Sequence, residues 1–130
     1  MKKIEATVKQ IDDWIAALRS GEYKQTRNTI VTFKNQFSYS ESTCDSFCCD
    51  SFCCLGVAAM VWYDFKNAAD IWNNAFRVDF ELYDEIDKLM SCSIRDKLID
   101  MNDKSRASFL EIADYIEKEL RPLCKDYNAN

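Results

Sequence analysis

Residues 44–60 read CDSFCCDSFCCLGVAAM and hold five of the seven cysteines of the chain. The block Cys44–Cys48 is followed at once by a second copy, Cys49–Cys53, and the second copy runs into the longest apolar stretch of the sequence. A repeat this short is not a repeat architecture, whose periods begin at about 20 residues. The second copy therefore predicts the entrance of a helix over 53–65 that is apolar on nearly all sides and central in the fold.

The cysteines permit three interpretations. The first is that they are small buried side chains at the start of the core helix, because free cysteine is among the most buried residue types. The second is a zinc site made by Cys44, Cys48, Cys49 and Cys53, although structural zinc usually takes two separated pairs of ligands. The third is disulfides, which an odd count in a predicted reducing compartment disfavours. We favour the first and expect neither metal nor other cofactor.

Length and composition predict one globular domain over 1–125 with a frayed tail over 126–130. Two glycines and one proline in 130 residues are too few for the many tight turns of an all-β sandwich. Apolar residues make up 48% of the chain, which is enough for a real core. The predicted fold class is α+β, with about five helices and a small antiparallel β-hairpin.

Charge and hydropathy limit the partners. A formal net charge of −5 argues against direct nucleic-acid binding, which normally requires an excess of Lys and Arg. No apolar run follows Lys2 and Lys3, and the run Leu55–Trp62 is much shorter than the about 20 residues of a membrane helix. These features predict a reduced cytoplasmic protein that does not bind membranes.

Apolar periodicity and helix-end signals place the other elements. In chain order we expect a helix over 4–19 ended by Ser20-Gly21, a strand within 29–39 paired with residues from 47–52, a loose segment over 66–78, a helix over 80–90, a helix from the N-cap Ser93 to about 102, and a last helix capped by Ser108 and Glu111. Any tryptophan among Trp14, Trp62 and Trp72 that is exposed is expected to mark a partner site.

Three motifs in order cover most of the chain: WIAALRSGEYKQ at 14–25, FCCLGV at 52–57, and LIDMND at 98–103 followed by SFLEIADYIE at 108–117. Together they resemble a family of small proteins found mainly in tailed-phage genomes and prophages. The chain departs from that family between the first two motifs, where it carries the duplicated CDSFC block. The resemblance implies a phage origin and no particular chemistry.

The polar residues Arg19, Tyr23, Lys24, Gln25 and Arg27 form the main candidate binding cluster. Cations, an aromatic ring and an amide at the junction of a helix and a strand suit a phosphate-bearing ligand or an acidic partner surface. The structural alternative is that Arg19 makes a contact near the helix C-terminus and Tyr23 lies at the edge of the core.

No catalytic set emerges from the sequence. The chain has no histidine, so a Cys-His or Ser-His pair is excluded, and the two isolated glycines do not make a phosphate-binding loop. Cys53 or Cys54 would be a nucleophile only with a lowered pKa at the helix N-terminus. Asn102 and Asp103, near Asp100, are either a cation-binding loop or a turn with Asn102 in the left-handed conformation.

The sequence thus favours a non-enzymatic phage protein that binds a bacterial host protein, in host takeover or counter-defence, with homodimer formation left open. The alternatives are a module that binds or sequesters a nucleotide signal through the Arg19–Arg27 cluster, and a zinc protein that uses the cysteines.

Overall fold

The computed structural model describes residues 3–33, 50–63, 65–74, 76–77 and 80–128, and the side chains of 76, 77 and 80 are excepted. Cys44, Cys48 and Cys49, three of the four candidate zinc ligands, lie outside the described residues.

The described residues contain six α-helices: α1 Val8–Arg19, α2 Cys54–Trp62, α3 Ala68–Asn74, α4 Leu82–Met90, α5 Cys92–Asp103 and α6 Phe109–Tyr115. The chain continues from α6 through a π-helical turn at Ile116–Leu120 and a 3₁₀ turn at Arg121–Leu123. Two antiparallel pairs join β1 Val31–Thr32 to β2 Ser51–Phe52, and β3 Phe76–Arg77 to β4 Phe80–Glu81. The predicted mostly helical α+β class is confirmed.

Helix α2 lies at the centre of the core, as its all-round apolar sequence predicts. Its first six residues are buried, and α1, α3 and α5 pack against it. The indole Nε1 of Trp14 in α1 donates to the carbonyl of Cys54 at 2.9 Å, and the Trp14 ring meets that of Trp62 edge-on. A Cβ on Gly56 would lie 2.6 Å from the backbone oxygen of Ile30, so glycine is what lets β1 approach this helix.

The helix boundaries follow local capping. Thr7 and Gln10 form a capping box at the start of α1, and Ser108 and Glu111 form the predicted one at the start of α6. Gly21 takes the predicted left-handed conformation after α1, with φ +80. Each of these helix ends is determined by residues a few positions apart in the chain.

Helix α1 begins at Val8, four residues later than predicted, because Ile4 has a different partner. Ile4 forms a parallel bridge with Cys124, and its N–H donates to the carbonyl of Leu123 at 2.8 Å. Asp126 accepts a hydrogen bond from the N–H of Val8 at 2.8 Å. The predicted domain limit at 125 and frayed tail stay predictions.

Two further expectations were wrong. The segment expected to be loose contains α3, whose Ala68 and Ile71 are buried. Helix α5 is capped by Ser91 and not by Ser93, and Ser91 lies at φ 89 and ψ 153. That conformation is one that only glycine adopts without strain.

Candidate functional site: an apolar groove between the N-terminal segment and helices α4 and α5

The predicted cation cluster is engaged within the chain. The Nη2 of Arg19 bonds Asp114 at 2.8 Å and Glu117 at 2.7 Å, and the hydrogen bonds to Glu117 and Asp114 raise the pKa of its guanidinium. The Tyr23 ring meets that of Phe52 edge-on with centroids 5.3 Å apart, at the edge of the core. The position of Tyr23 agrees with the structural alternative, whereas Arg19 pairs with carboxylates of α6 and of the turn after it and not with the C-terminus of its own helix.

Gln25 and Arg27 reach across to the loop between α5 and α6, and Lys24 is exposed. The amide of Gln25 donates to the carbonyl of Ala107 at 2.9 Å, and Nη2 of Arg27 lies 3.2 Å from the carbonyl of Arg106 and 3.3 Å from that of Ala107. The structure thus places the five candidate residues at the end of α1 and in the connection after it, and the side chains of Arg19, Gln25 and Arg27 bond intrachain partners. Ligand binding by this cluster stays a prediction.

Asn102 is the centre of this polar network, and it lies fully buried in the last turn of α5. Its Oδ1 accepts from Nε2 of Gln25 at 2.9 Å and from the N–H of Cys54 at 3.3 Å. Its Nδ2 donates to the carbonyl of Thr26 and to Oδ1 of Asp103, at 2.9 and 2.8 Å. We call Gln25, Thr26, Cys54, Asn102 and Asp103 the polar hub.

The hub bears on both sequence interpretations of Asn102, and the cation-binding loop stays a prediction. The helical position of Asn102 shows that the predicted left-handed turn is wrong. Asp103 accepts from the N–H of Asn28 at 2.9 Å as well as from Asn102, so Oδ1 of this carboxylate serves the chain itself. The hub joins the 25–28 segment, the start of α2 and the end of α5.

The described thiols at the start of α2 are buried. Cys53 is the N-cap of α2 and accepts weakly from the N–H of Gly56 at 3.4 Å. Burial raises the pKa of Cys53 to about 11 and that of Cys54 well above its usual value. A nucleophile at a helix N-terminus requires the opposite shift. Packing, the first interpretation, therefore describes these two residues.

Within residues 3–33, 50–63, 65–74 and 81–128, the side chains form no group of three or more metal-ligating residues. Cys124 is buried, and Cys92 is exposed at the first position of α5. The zinc alternative depends on residues outside the described part of the chain and stays a prediction.

A groove of about 450 Å³ opens where the N-terminal segment crosses the junction of α4 and α5. Its apolar lining comes from Ile4, Leu89, Met90, Ile94 and Leu123. Backbone bonds hold its walls together, because the N–H groups of Glu5 and Ala6 both donate to the carbonyl of Leu89, at 2.9 and 3.0 Å. The volume falls in the range of ligand pockets, about 300–1,000 Å³.

Asp87 is one of two carboxylates that line this groove, and the other is the exposed Glu5. Its Oδ2 lies 3.1 Å from Nη1 of Arg95, and its side chain retains 27% of its accessible surface. Its Oδ1 is withdrawn from water and has no hydrogen-bond partner among the described residues. Arg95 is itself held over the ring of Tyr83 at 5.1 Å, which keeps the ion pair in place.

The groove also carries the strained residue of the α4–α5 junction. Ser91, which caps both helices, lies on the groove wall. Strained non-glycine backbone of this kind is found preferentially at functional sites. No sequence pattern indicated the groove, because its lining joins the buried Ile4 to the half-buried Leu89, Ile94 and Leu123, and their proximity depends on tertiary contacts.

Fold and site together define a small, mostly helical α+β protein with an apolar surface groove. Comparisons with protein-family models, with curated proteins and with solved structures find no match for the chain. Among the described residues, every helix is too short or too polar to cross a bilayer.

Proposed function

We propose that this chain is a phage protein that binds a protein of its bacterial host and catalyses no reaction itself, in host takeover or counter-defence. The observation that carries the binding proposal is the apolar groove beside the α4–α5 junction. The host and phage part of the proposal rests on the resemblance of the 14–25, 52–57 and 98–117 motifs.

The groove has the anatomy of a binding surface for protein side chains. Protein interfaces bury an apolar centre within a polar, solvent-accessible rim. Here the apolar lining is surrounded by Lys3, Glu5 and Lys88, all exposed, and by the half-buried Asp87. A cavity of about 150 Å³ holds a benzene ring, so this groove has room for about three apolar side chains.

The thiols at the start of α2 support binding over catalysis. Cys53 is buried and Cys54 is fully withdrawn from solvent, and their raised pKa values keep both protonated at neutral pH. The thiolate is the reactive form of cysteine, so these two residues lack it at neutral pH.

The test is capture of a partner from bacterial lysate by the full chain, followed by calorimetry with the purified partner. Ile94→Glu places a charge in the groove, and Leu110→Glu makes the same change at an exposed apolar residue of α6, where 59% of the side chain is accessible. We expect wild type and Leu110→Glu to bind the partner alike, and Ile94→Glu to bind at least tenfold more weakly. The melting temperature of each variant verifies that it folds.

Failure of wild type to capture any protein above a tag-only control would contradict the proposal. So would turnover of a substrate that stops when a thiol is alkylated. A third variant, Trp72→Ser, tests the surface around Trp72, which is 37% accessible and whose ring lies 6.3 Å from that of Phe33. Loss of binding in Trp72→Ser, with Ile94→Glu unaffected, would show that the partner binds near Trp72 and not in the groove.

A further inference from the structure

We propose that Arg27 and Arg106 form a binding site for the phosphate group of a small ligand. The site lies where Arg27 reaches the loop between α5 and α6, and it shares no residue with the lining of the groove. The inference therefore goes beyond the proposed function and does not depend on it.

These two residues differ from the other arginines whose side chains the structure describes. Arg19, Arg95 and Arg121 each bond a carboxylate, at 2.7, 3.1 and 2.8 Å. Arg27 and Arg106 form no ion pair with any described carboxylate. Acidic residues outnumber Lys and Arg by 22 to 17 in this chain, so two arginines without a carboxylate are unexpected in it.

Both unpaired charges lie at one place in the fold. Nη2 of Arg27 donates to the carbonyl of Arg106 at 3.2 Å and to that of Ala107 at 3.3 Å. The guanidinium of Arg27 therefore lies against the residue that carries the second charge. Like charges that are held close together without a counterion repel each other, and a bound anion removes that repulsion.

The two guanidinium groups have donors left for a ligand. In Arg27, Nε is withdrawn from solvent and Nη2 bonds the two carbonyls. Nη1 has no partner within the described part of the chain and is not withdrawn from solvent, so its two N–H groups are open to a ligand. The side chain of Arg106 is exposed. Because its bonds to the loop already hold Arg27, binding orders little of that side chain.

The carboxylates beside this loop are engaged elsewhere. Asp100 lies 3.6 Å from Lys104, and Oδ1 of Asp103 accepts from the N–H of Asn28 and from the amide of Asn102. Neither carboxylate forms an ion pair with the two arginines. The loop thus keeps two uncompensated cations, although the chain as a whole is acidic.

A phosphate group matches this arrangement better than a carboxylate does. The planar fork of a guanidinium binds the oxygens of either group through paired N–H donors. A phosphate monoester carries a charge of about −1.5 to −2 at pH 7 and has three acceptor oxygens. It can therefore neutralise two guanidinium groups at once, whereas a carboxylate carries a single charge.

The probes are inorganic phosphate, adenosine 5′-monophosphate and adenosine. Each is titrated into the ¹⁵N-labelled full chain at constant ionic strength, with sodium chloride as the control for general ionic effects, and backbone amide and arginine Nε–Hε shifts are followed by NMR. We expect inorganic phosphate and adenosine 5′-monophosphate to cause saturable shifts at Arg27, Arg106 and Ala107. We expect adenosine and chloride to cause none at these residues.

Three variants with the same change in charge separate the site from general attraction. Arg27→Gln and Arg106→Gln should each weaken the binding of inorganic phosphate by about tenfold, which corresponds to one lost charge-assisted hydrogen bond. Arg19→Gln removes an arginine that Asp114 and Glu117 already pair, and it should change the affinity by less than about twofold. Melting temperatures verify folding, and Arg106→Gln changes an exposed side chain, so it tests the site even if Arg27→Gln unfolds.

Wild-type affinity for phosphate in Arg106→Gln or in a folded Arg27→Gln would overturn the inference. So would equal shifts with chloride or with adenosine, or an equal loss of affinity in Arg19→Gln. The proposed function is scored separately, by capture of a partner and its loss in Ile94→Glu. Failure of one proposal therefore leaves the other standing.

Discussion

The polar hub and the apolar groove each contain a buried or half-buried polar side chain, and they differ in how its atoms are satisfied. In the hub, both the oxygen and the nitrogen of Asn102 have two hydrogen-bond partners. In the groove, one oxygen of Asp87 is bonded and the other has no partner among the described residues. The backbone conformations differ as well. Asn102 in the hub is helical, whereas Ser91 in the groove has a strained positive φ.

This difference separates a site that stabilises the fold from a site that binds a partner, although both are polar and partly enclosed. A fully satisfied network gains nothing from an added partner and is expected to serve stability. A site with an unsatisfied acceptor and strained backbone leaves free energy that a partner can recover. We therefore expect substitutions in the hub to change stability strongly, and substitutions in the groove to change binding more than stability.

Removal of Asn102 is expected to have the largest effect on stability. Asn102→Ala deletes the group that bonds Gln25, Thr26, Cys54 and Asp103, and it leaves buried polar atoms unpaired. The free energy of unfolding should fall by about 3 kcal/mol, since each unsatisfied buried group costs about 1–3 kcal/mol. Denaturant unfolding measures it. Asn73→Ala, at an exposed position of α3, is the control and should stay within about 0.5 kcal/mol of wild type. A loss below about 1 kcal/mol in the free energy of unfolding of Asn102→Ala would contradict a stabilising role for the polar hub.

Alkaline pH should lower the free energy of unfolding through ionisation of Cys53, which lies beside the polar hub. Its pKa is raised from 9.0 in the unfolded chain to about 11 in the folded one. The neutral thiol therefore contributes its full stability below pH 9, and this contribution is lost as the pH rises through 11. Two pKa units imply that wild type loses about 2 kcal/mol more than Cys53→Ser between pH 8 and 11.

The variant Cys53→Ser isolates this effect, because serine is a good N-cap and does not titrate in this range. Tyr63, whose pKa burial raises to about 12, adds the same loss to both proteins. Burial and the charge of Cys53 both raise the pKa values of Cys54 and Tyr83, so their loss is smaller in Cys53→Ser and widens the difference in the same direction. Chemical denaturation under reducing conditions at each pH gives the two curves. Parallel curves would show that Cys53 is accessible or already ionised.

Close packing beside the hub makes Gly56 sensitive to one added methyl group. The Cβ of Gly56→Ala would lie 2.6 Å from the backbone oxygen of Ile30. This contact is too short, and a backbone atom cannot move away as easily as the end of a side chain. We expect a loss of about 2 kcal/mol despite the better helix propensity of alanine. Gly21→Ala is the matched comparison: its Cβ meets nothing within 4 Å, but its φ of +80 is strained for alanine. It should cost about 1 kcal/mol in thermal or denaturant unfolding. An unchanged stability in Gly56→Ala would contradict the close contact between α2 and β1.

The smallest effect is expected at the groove, and it has the opposite sign. Ser91→Gly relieves backbone strain of about 1–3 kcal/mol, loses about 0.5–1 kcal/mol to the flexibility of glycine, and loses a few tenths of a kcal/mol with the hydroxyl that caps Ile94. It should therefore stabilise the protein by about 1 kcal/mol. Ser91→Ala keeps the strain and removes the hydroxyl that caps Ile94, so it should destabilise slightly. A fall in the melting temperature of Ser91→Gly would show that the junction is unstrained.

Short-range signals in the sequence predicted the fold class well. The capping box of Ser108 and Glu111, the left-handed Gly21 and the buried stripe of Phe109, Ile112, Ile116 and Leu120 are all confirmed. The predicted strand pairing is confirmed at β1 and β2. The residues before the core helix pair with the alternating segment near Val31. Each of these depends on residues a few positions apart or on a strong apolar pattern.

Features that depend on distant residues escaped the sequence. Helix α1 lost its first turn because Ile4 pairs with Cys124, and α3 was missed because only Ala68 and Ile71 of its seven residues are buried. Helix α5 has serines at 91 and 93, so that the pattern alone did not identify the cap. The hub and the groove each join segments more than 40 positions apart in the chain, and no local pattern encodes such a junction.

Protection of the chain by its captured partner tests the central claim most directly. Hydrogen exchange of backbone amides is followed by mass spectrometry for the free chain and for the complex. We predict slower exchange at residues 3–5 and 87–94 in the complex, with residues 24–28 and 102–107 unchanged. Protection at the hub segments with an unprotected groove would contradict the account.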